Sequence, residues 1–244
     1  MNLAFYTGAT GLGAFQGALN IVGNNIANSN TIGYKPETVS FENLLYTHMY
    51  VNAESEPLVG TGVKSQSNGI TFGTSTYRTT ENALDFAIVG DGFFVIEKNG
   101  NTTYTRAGAF QMGSDGTGNY YLCTTDGSYV LDSTGNRIQI EQDPETGNYI
   151  HDGIAGKIAV VQFENQQALE TLSGNRFAQT DESGEPVILN EENHPVRSRI
   201  LEQSGTVMAS EMTNMILAQR GFQMSSKVVQ TADEIEDIVN NLRK

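Results

Sequence analysis

Residues 201–244 read LEQSGTVMASEMTNMILAQRGFQMSSKVVQTADEIEDIVNNLRK and contain no proline. Apolar side chains recur there every seven residues, and the stripe then shifts by one position, as expected for a helix of about 3.6 residues per turn. The series consists of Leu201, Met208, Met215, Phe222 and Val229, followed by Val228, Ile235 and Leu242. This pattern predicts a long C-terminal helix over residues 199–244, with one apolar face that needs a partner.

The first thirty residues carry a matching heptad repeat. Apolar residues at every seventh position, with two more that follow three positions later, form an a/d seam. The seam residues are Phe5, Leu12, Phe15, Leu19, Val22 and Ile26. Glycines interrupt the segment, and each costs about 1 kcal/mol relative to alanine in a helix. The helix predicted over residues 1–33 therefore needs stabilising contacts from outside the segment.

The middle of the chain has a different pattern, in which short runs of strand-forming residues alternate with turn clusters. Phe93-Phe94-Val95-Ile96 is one such run, and Asp126-Gly127 is one such turn. Asp or Asn beside Gly favours the tight turns of hairpins, and spacings of roughly 10 to 17 residues fit an antiparallel sheet better than strand-helix-strand units. We therefore predict a β-rich body over residues 71–198 and an extended connecting segment over residues 34–70.

Together these patterns predict an α+β protein with an antiparallel all-β central domain. The N-terminal and C-terminal helices are predicted to form a discontinuous coiled coil, because neither helix can bury its apolar face alone. Helix surface that remains outside this pair would be available to neighbouring subunits, which indicates a protein that assembles.

The composition argues against several classes of function. The 244 residues carry a formal net charge of −14, and a polyanion gains nothing from counterion release on nucleic acid or from an anionic lipid surface. The single cysteine, Cys123, permits no internal disulfide and fits a small buried thiol. No run reaches the roughly 20 apolar residues of a membrane span, and the first basic residue is Lys35. We expect neither direct membrane insertion nor a cleaved secretory signal peptide.

Two other kinds of site compete with the assembly hypothesis. The glycine-rich stretch Thr7–Gly13 resembles the turn that binds a dinucleotide, which would make the chain an oxidoreductase. Such a turn needs a buried strand before it and an acidic residue about 20 positions later, where Asn24 and Asn28 stand instead. The acidic turns of the body leave open a carbohydrate-binding or calcium-binding β protein. The histidines, which lack metal-ligand spacing, are His48, His151 and His194.

Four separated blocks of the sequence stand out together. Two of them, residues 84–94 and 104–110, fall in the predicted body, and a third spans residues 201–233. The N-terminal block contributes Asn24, Asn25, Ala27, Asn28, Gly33, Tyr34 and Lys35. We refer to these seven residues as the signature residues. In this order the four blocks resemble the bacterial flagellar basal-body rod and hook proteins. The short body resembles a rod subunit more than the longer hook subunit; residues 41–46 resemble the distal rod protein, whereas the body fits a proximal one equally.

The resemblance implies a structural axial subunit with no catalytic residues, no cofactor and no metal. Such a subunit would leave the cytoplasm through the flagellar type III export apparatus, without signal cleavage, and polymerise helically in the basal body to support motility. Its partners would be copies of itself and other rod and hook proteins. The predicted assembly interface comprises Phe5, Leu12, Phe15, Leu19, Val22, Ile26, Leu201, Met208, Met215, Phe222, Val229, Ile235 and Leu242.

Overall fold

The computed structural model describes residues 3–48, 58–73, 75–116, 118–142, 149–150, 153–189 and 196–242. The chain divides into two compact units. Unit 1 comprises Met1–Ala27, Glu37–Ile70 and Thr206–Lys244, and unit 2 comprises Asn28–Pro36 and Thr71–Gly205. Each unit is therefore built from segments that are distant in sequence.

The elements are numbered in chain order. In the described part of the chain the helices are α1 (Leu3–Ala27), α2 (Ile154–Lys157) and α3 (Met208–Leu242), and a 3-10 turn lies at Gln166–Ala168. The first strands are β1 (Glu37–Asn43), β2 (Tyr46–His48), β3 (Leu58–Gly60), β4 (Val63–Ile70), β5 (Tyr77–Thr79), β6 (Phe86–Ile88), β7 (Phe93–Lys98), β8 (Asn101–Thr105) and β9 (Phe110–Ser114). The remaining strands are β10 (Tyr120–Thr124), β11 (Tyr129–Val130), β12 (Gln139–Ile140), β13 (Val160–Gln162), β14 (Glu170–Leu172), β15 (Arg176–Ala178), β16 (Val187–Ile188), β17 (Val196–Ser198) and β18 (Ile200–Glu202).

Unit 1 contains the two long helices, and both are shorter than the sequence predicts. Helix α1 ends at Ala27 rather than at residue 33, because the following residues form turns, including a hydrogen bond in which the Thr31 amide donates to the Asn28 carbonyl (3.1 Å). Helix α3 begins at Met208 rather than at residue 199. The residues before it are held in strand β18, which pairs with β5 in unit 2.

Residues 34–70 differ from the extended connector that the sequence suggests. Strands β1 and β4 pair as an antiparallel ribbon, from Glu37 opposite Ile70 to Asn43 opposite Val63, and β2 pairs with β3. The ribbon packs on α1, where Gly17 lies beside the Ser65 hydroxyl and Gly62 beside Thr10. Most of this segment therefore belongs to unit 1.

Unit 2 is the antiparallel β body, so the α+β class is confirmed. Its largest sheet has ten strands, with β12, β10, β11, β7, β8, β15 and β14 in order, while β13 and β16 extend it from β7 and β9 pairs with β10. Two further ladders join β6 to β17 and β5 to β18. The predicted hairpin at Asp126-Gly127 lies between β10 and β11, which pair at Cys123 and Tyr129.

Large apolar side chains fill the interior of the body. Phe86, Phe93, Phe94 and Phe177 are all fully buried, and Phe93 makes edge contacts with Phe177 at a centroid separation of 5.4 Å. The Cys123 thiol is also buried, which raises its pKa, as expected for an inert structural cysteine.

Candidate assembly surface

Helices α1 and α3 pack antiparallel through small residues. Gly8 faces Val229, Gly11 faces Ser225, and Gly221 faces the ring of Phe15, so the contacts run in opposite directions along the two helices. A methyl group added at Gly8 would lie 2.8 Å from Val229 Cγ2, and one added at Gly11 would lie 2.8 Å from Ser225 Oγ. Glycine is therefore required here for a close approach of the two helices, in addition to weakening α1.

The buried line of α1 is displaced by one position from the predicted seam. Its members are Gly8, Gly11, Ala14, Ala18, Val22 and Asn25. Of the predicted seam, Val22 is buried, Leu12, Phe15, Leu19 and Ile26 are half-buried, and Phe5 is 46% exposed. The larger side chains lie beside the contact line because only small residues let the helices approach so closely.

The predicted residues of the C-terminal segment divide into three groups. Met208, Met215, Phe222 and Val229 are half-buried on α3, whereas Ile235 and Leu242 are exposed. Leu201 is buried in strand β18 of unit 2, and it does not lie on the helix. The line of α3 that contacts α1 is marked less by the apolar heptads than by a small residue at every seventh position. These small residues are Ala218, Ser225 and Ala232.

Two other glycines of α1 do not contact another element, so they separate the effect of glycine on helix packing from its effect on helix propensity. At Gly13 and Gly23 an added methyl group meets nothing within 4 Å. We expect Gly13→Ala and Gly23→Ala each to stabilise unit 1 by about 0.5–1 kcal/mol, since alanine restricts the unfolded chain and favours the helix. Gly8→Ala is the control and should show no such gain. Helix content by circular dichroism and the urea midpoint measure the effect; equal gains at all three positions would contradict the close packing.

Asn25, one of the signature residues, ties the end of α1 to the start of β1. Its side-chain amide donates to the Glu37 carbonyl (2.8 Å), and its amide oxygen accepts from the Glu37 N–H (3.1 Å). The side chain is buried, so both of these hydrogen bonds satisfy groups that are shielded from water. The two hydrogen bonds join the end of α1 to the start of β1 within unit 1.

Lys35 belongs to a buried ion cluster within unit 2. Its ammonium lies 2.6 Å from Glu202 Oε1 and also donates to the Gly73 carbonyl (2.7 Å). Arg106 Nη1 lies 3.4 Å from the other oxygen, Glu202 Oε2, and donates to the Gly90 carbonyl (2.8 Å). Burial lowers the pKa of Lys35, and the hydrogen bond with Glu202 opposes that shift. One carboxylate thus balances two buried cations.

The backbone of the signature segment completes this cluster. Gly33 has a φ of 65°, in the left-handed region, and its N–H donates to the Glu202 carbonyl (2.9 Å). A Cβ at Gly33 would lie 2.6 Å from the Arg106 carbonyl, so only glycine fits. The Tyr34 carbonyl accepts from the Gly205 N–H (2.9 Å). The segment after α1 is thereby fixed to the strand that precedes α3.

The remaining signature residues lie around the end of α1. Asn28 accepts a hydrogen bond from the Thr31 hydroxyl (3.0 Å), which supports the turn, and Asn24 and Ala27 are exposed. The signature residues therefore anchor the chain in both units. Asn25 does so in unit 1, and Gly33, Tyr34 and Lys35 do so in unit 2. The residue pattern alone did not distinguish these two roles.

The competing sites are not supported. Thr7–Gly13 lies inside α1, where its backbone forms helix instead of a phosphate-binding turn, and Gly8 and Gly11 face α3. Among the described residues no group of three or more His, Cys, Asp or Glu side chains could hold a metal ion. His151 and His194 lie outside the described residues. In the same part of the chain, no helix combines the length and the apolar character needed to cross a membrane.

Three family models match the chain in order. The flagella basal body rod protein model matches residues 5–35, and the flagellar hook protein FlgE/F/G D1 domain matches residues 87–157. The C-terminal model of the flagellar basal body rod FlgEFG proteins matches residues 197–242. With the helical pair and the β body, these matches define the class as a structural protein of the flagellar rod and hook.

Full-length relatives make the assignment more specific. The flagellar basal-body rod protein FlgG of Bacillus subtilis is 32% identical over 99% of both chains. FlgG of Agrobacterium fabrum is 35% identical over 95% of this chain and 96% of its own, and FlgF of Mesorhizobium japonicum is 28% identical over 99% and 98%. The chain therefore belongs to the flagellar basal-body rod protein family, and it is a structural subunit of the rod in the flagellar basal body.

Proposed function

We propose that this rod subunit assembles with copies of itself and with other rod and hook proteins through helices α1 and α3, and that it has no catalytic role. The observation that carries the proposal is apolar surface left on the helices after they have packed together. Phe5 and Tyr6 near the start of α1 are exposed, and Leu242 at the end of α3 is 83% exposed. Surface of this kind is a contact site when it forms a continuous patch.

The length of α3 gives further support. Contacts of Gly8 with Val229 and of Phe15 with Gly221 set the antiparallel register, which brings Leu3 opposite the region of Asp233. Residues 234–242 then continue beyond Leu3, and they carry Ile235, Ile238 and Val239 in exposed positions. An amphipathic helix end that the described residues of its own chain leave uncovered favours a second molecule as its partner.

The export route belongs to the same proposal. We expect the subunit to pass through the flagellar type III apparatus without signal cleavage and to complete its helices on docking. The glycines of α1 support this order of events, because they keep the isolated helix weak while allowing close packing once α3 is in place. The terminal helices would then line the inner tube of the rod.

Swimming motility tests the proposal. Leu19→Asp and Phe222→Asp each place a charge at a half-buried position of the helical pair, where its desolvation opposes packing. We expect both variants to be produced with a folded β body and to abolish swimming. The controls are Asn20→Asp and Gln223→Asp, which add the same charge at exposed neighbouring positions and should leave swimming intact. Normal swimming in both Leu19→Asp and Phe222→Asp would refute the proposal.

A further inference from the structure

A cavity lies in unit 1 between α1, α3 and strand β1. Its volume is about 300 Å³, and every described residue that lines it belongs to unit 1. At the roughly 30 Å³ that a water molecule takes up in the liquid, the cavity has room for a ligand of about ten non-hydrogen atoms. Concave sites of this volume, with an apolar lining and a few polar groups, are where proteins bind small molecules.

Apolar side chains from all three elements form most of the lining. The rings of Phe15 in α1 and Phe41 in β1 pack with a centroid separation of 5.4 Å. Val22, Val39 and Leu217 extend this apolar surface. Phe41 and Leu217 are exposed, so the apolar lining is open to solvent. The rings favour an apolar or aromatic group of a ligand, and the face of such a ring also attracts an organic cation.

Two carboxylates give the cavity a negative charge. Glu37 at the start of β1 and Glu211 in the first turn of α3 both line it, and both are half-buried. Among the described residues neither carboxylate forms an ion pair, and no Lys or Arg side chain lines the cavity. Partial burial reduces the solvent screening of these charges, so a bound cation gains more here than on the open surface.

The charge of the whole unit favours a ligand of the same sign. The acidic residues in the described part of unit 1 are Glu37, Glu42, Glu211, Asp233, Glu234, Glu236 and Asp237, and the basic residues are Lys64, Arg220 and Lys227. This excess of negative charge attracts cations and repels anions. A neutral ligand would cover the two carboxylates of the cavity without pairing them, which costs part of their hydration. Only a cation suits both the carboxylates and the aromatic rings.

We infer that this cavity is a binding site for a small organic cation, a primary amine that carries one aromatic or apolar group. The apolar group would lie against Phe15, Phe41 and Leu217, and the ammonium would pair with Glu37 and Glu211. The lining comes from three elements that are distant in sequence, so the site exists only when unit 1 is folded. Binding of the amine therefore stabilises the folded helices by mass action.

A pair of probes that differ in charge but hardly in shape tests the inference. 2-Phenylethylamine is a cation at neutral pH, and 2-phenylethanol is its neutral counterpart. Each is titrated into the full-length chain and followed by amide chemical shifts and by helix content in circular dichroism. We expect the amine to shift the amides of Val22, Val39 and Leu217, to raise the helix content of any chain in which α1 is partly unfolded, and to bind about tenfold more tightly than the alcohol. The anion 3-phenylpropionate should not bind.

The double variant Glu37→Gln/Glu211→Gln removes both charges and keeps the shape of the side chains. We expect it to bind the amine and the alcohol equally. The matched control is Glu42→Gln, an exposed position of β1 outside the cavity, which should keep the preference for the amine. Glu211 also favours the start of α3 through the helix dipole. The ratio of the two affinities is unaffected by a change in the stability of the helix, so it reports on recognition of the charge alone.

Each of four other results would overturn the inference. Equal binding of the amine and the alcohol by the unmodified chain would show an apolar cavity that does not recognise charge. Chemical shifts confined to residues 233–237 would show only general attraction to the acidic end of α3. Tighter binding of n-butylamine, which copies a lysine side chain, would indicate a partner protein as the occupant. Neither chemical shifts nor a gain in helix content would show that the cavity does not bind an amine.

Discussion

Replacing Glu202 by alanine is expected to destabilise unit 2 by about 3–5 kcal/mol, because it leaves two buried cations without a counterion. The Glu202 carboxylate lies 2.6 Å from the Lys35 ammonium and 3.4 Å from Arg106 Nη1, and the three side chains are at most 2% exposed. Removing it also leaves a methyl-sized side chain in a site shaped for a carboxylate. Urea unfolding of the full chain, followed by tyrosine fluorescence, measures the loss.

A surface ion pair in the same unit is the control for Glu202→Ala. Glu97 and Arg137 form two hydrogen bonds of 3.0 Å each, but the Arg137 side chain is 42% exposed. The hydrogen bond with Arg137 lowers the pKa of Glu97. Because solvent screens this ion pair, Glu97→Ala should lower the free energy of unfolding by no more than about 1 kcal/mol. Similar losses in the free energy of unfolding for Glu202→Ala and Glu97→Ala would contradict the claim that the buried cluster stabilises unit 2 more than a surface ion pair does.

Replacing Gly108 by alanine is expected to destabilise the β body by about 3 kcal/mol or more, or to prevent its folding. An added Cβ would collide with the Phe86 carbonyl oxygen and would lie 3.1 Å from the ring of Phe94. The strand cannot move aside, because the Phe86 N–H donates to the Gly108 carbonyl (2.9 Å) and Phe86 is paired with Ser198. Amide dispersion in an NMR spectrum and the urea midpoint report the damage.

Gly156→Ala is the matched control for the collision at Gly108. Gly156 lies in α2 of the same unit, and an added methyl group there meets nothing within 4 Å. We expect this variant to unfold at the wild-type midpoint or slightly above it, since alanine favours a helix. A wild-type midpoint for Gly108→Ala as well would show that the strand can relax, which would contradict the close approach of Gly108 to the Phe86 carbonyl.

The sequence predicted the class of fold and the two terminal helices because periodicity reports directly on which residues share a face. It did not locate the end of α1 or the start of α3. Leu201 continues the apolar heptad, but its strand pairing with Arg78 places it in the β body. Strand pairing between distant segments overrides a local helical pattern, and nothing near Leu201 in the sequence indicates its partner.

The contact of α1 with α3 lies one position away from the predicted seam for a related reason. Val22 is the one residue that belongs both to the predicted seam and to the buried line of α1, and elsewhere the two differ in whether a residue such as Leu12 or its neighbour Gly11 faces α3. Residue size determines which of the two faces α3, because Gly11 allows a closer approach of the two helices than Leu12 does. Lys35 was recognised only as part of a motif, because its partner Glu202 is far away in the chain and only the folded body brings the two together.

The most direct test of assembly through the terminal helices is the amount of this chain in basal bodies isolated from cells that produce Phe222→Asp or Gln223→Asp. Phe222 is half-buried on α3 and Gln223 is exposed beside it, so the two variants differ in the position of one added charge. The account predicts wild-type amounts of the Gln223→Asp chain and none of the Phe222→Asp chain, at equal cellular levels. Equal incorporation of both variants would contradict it.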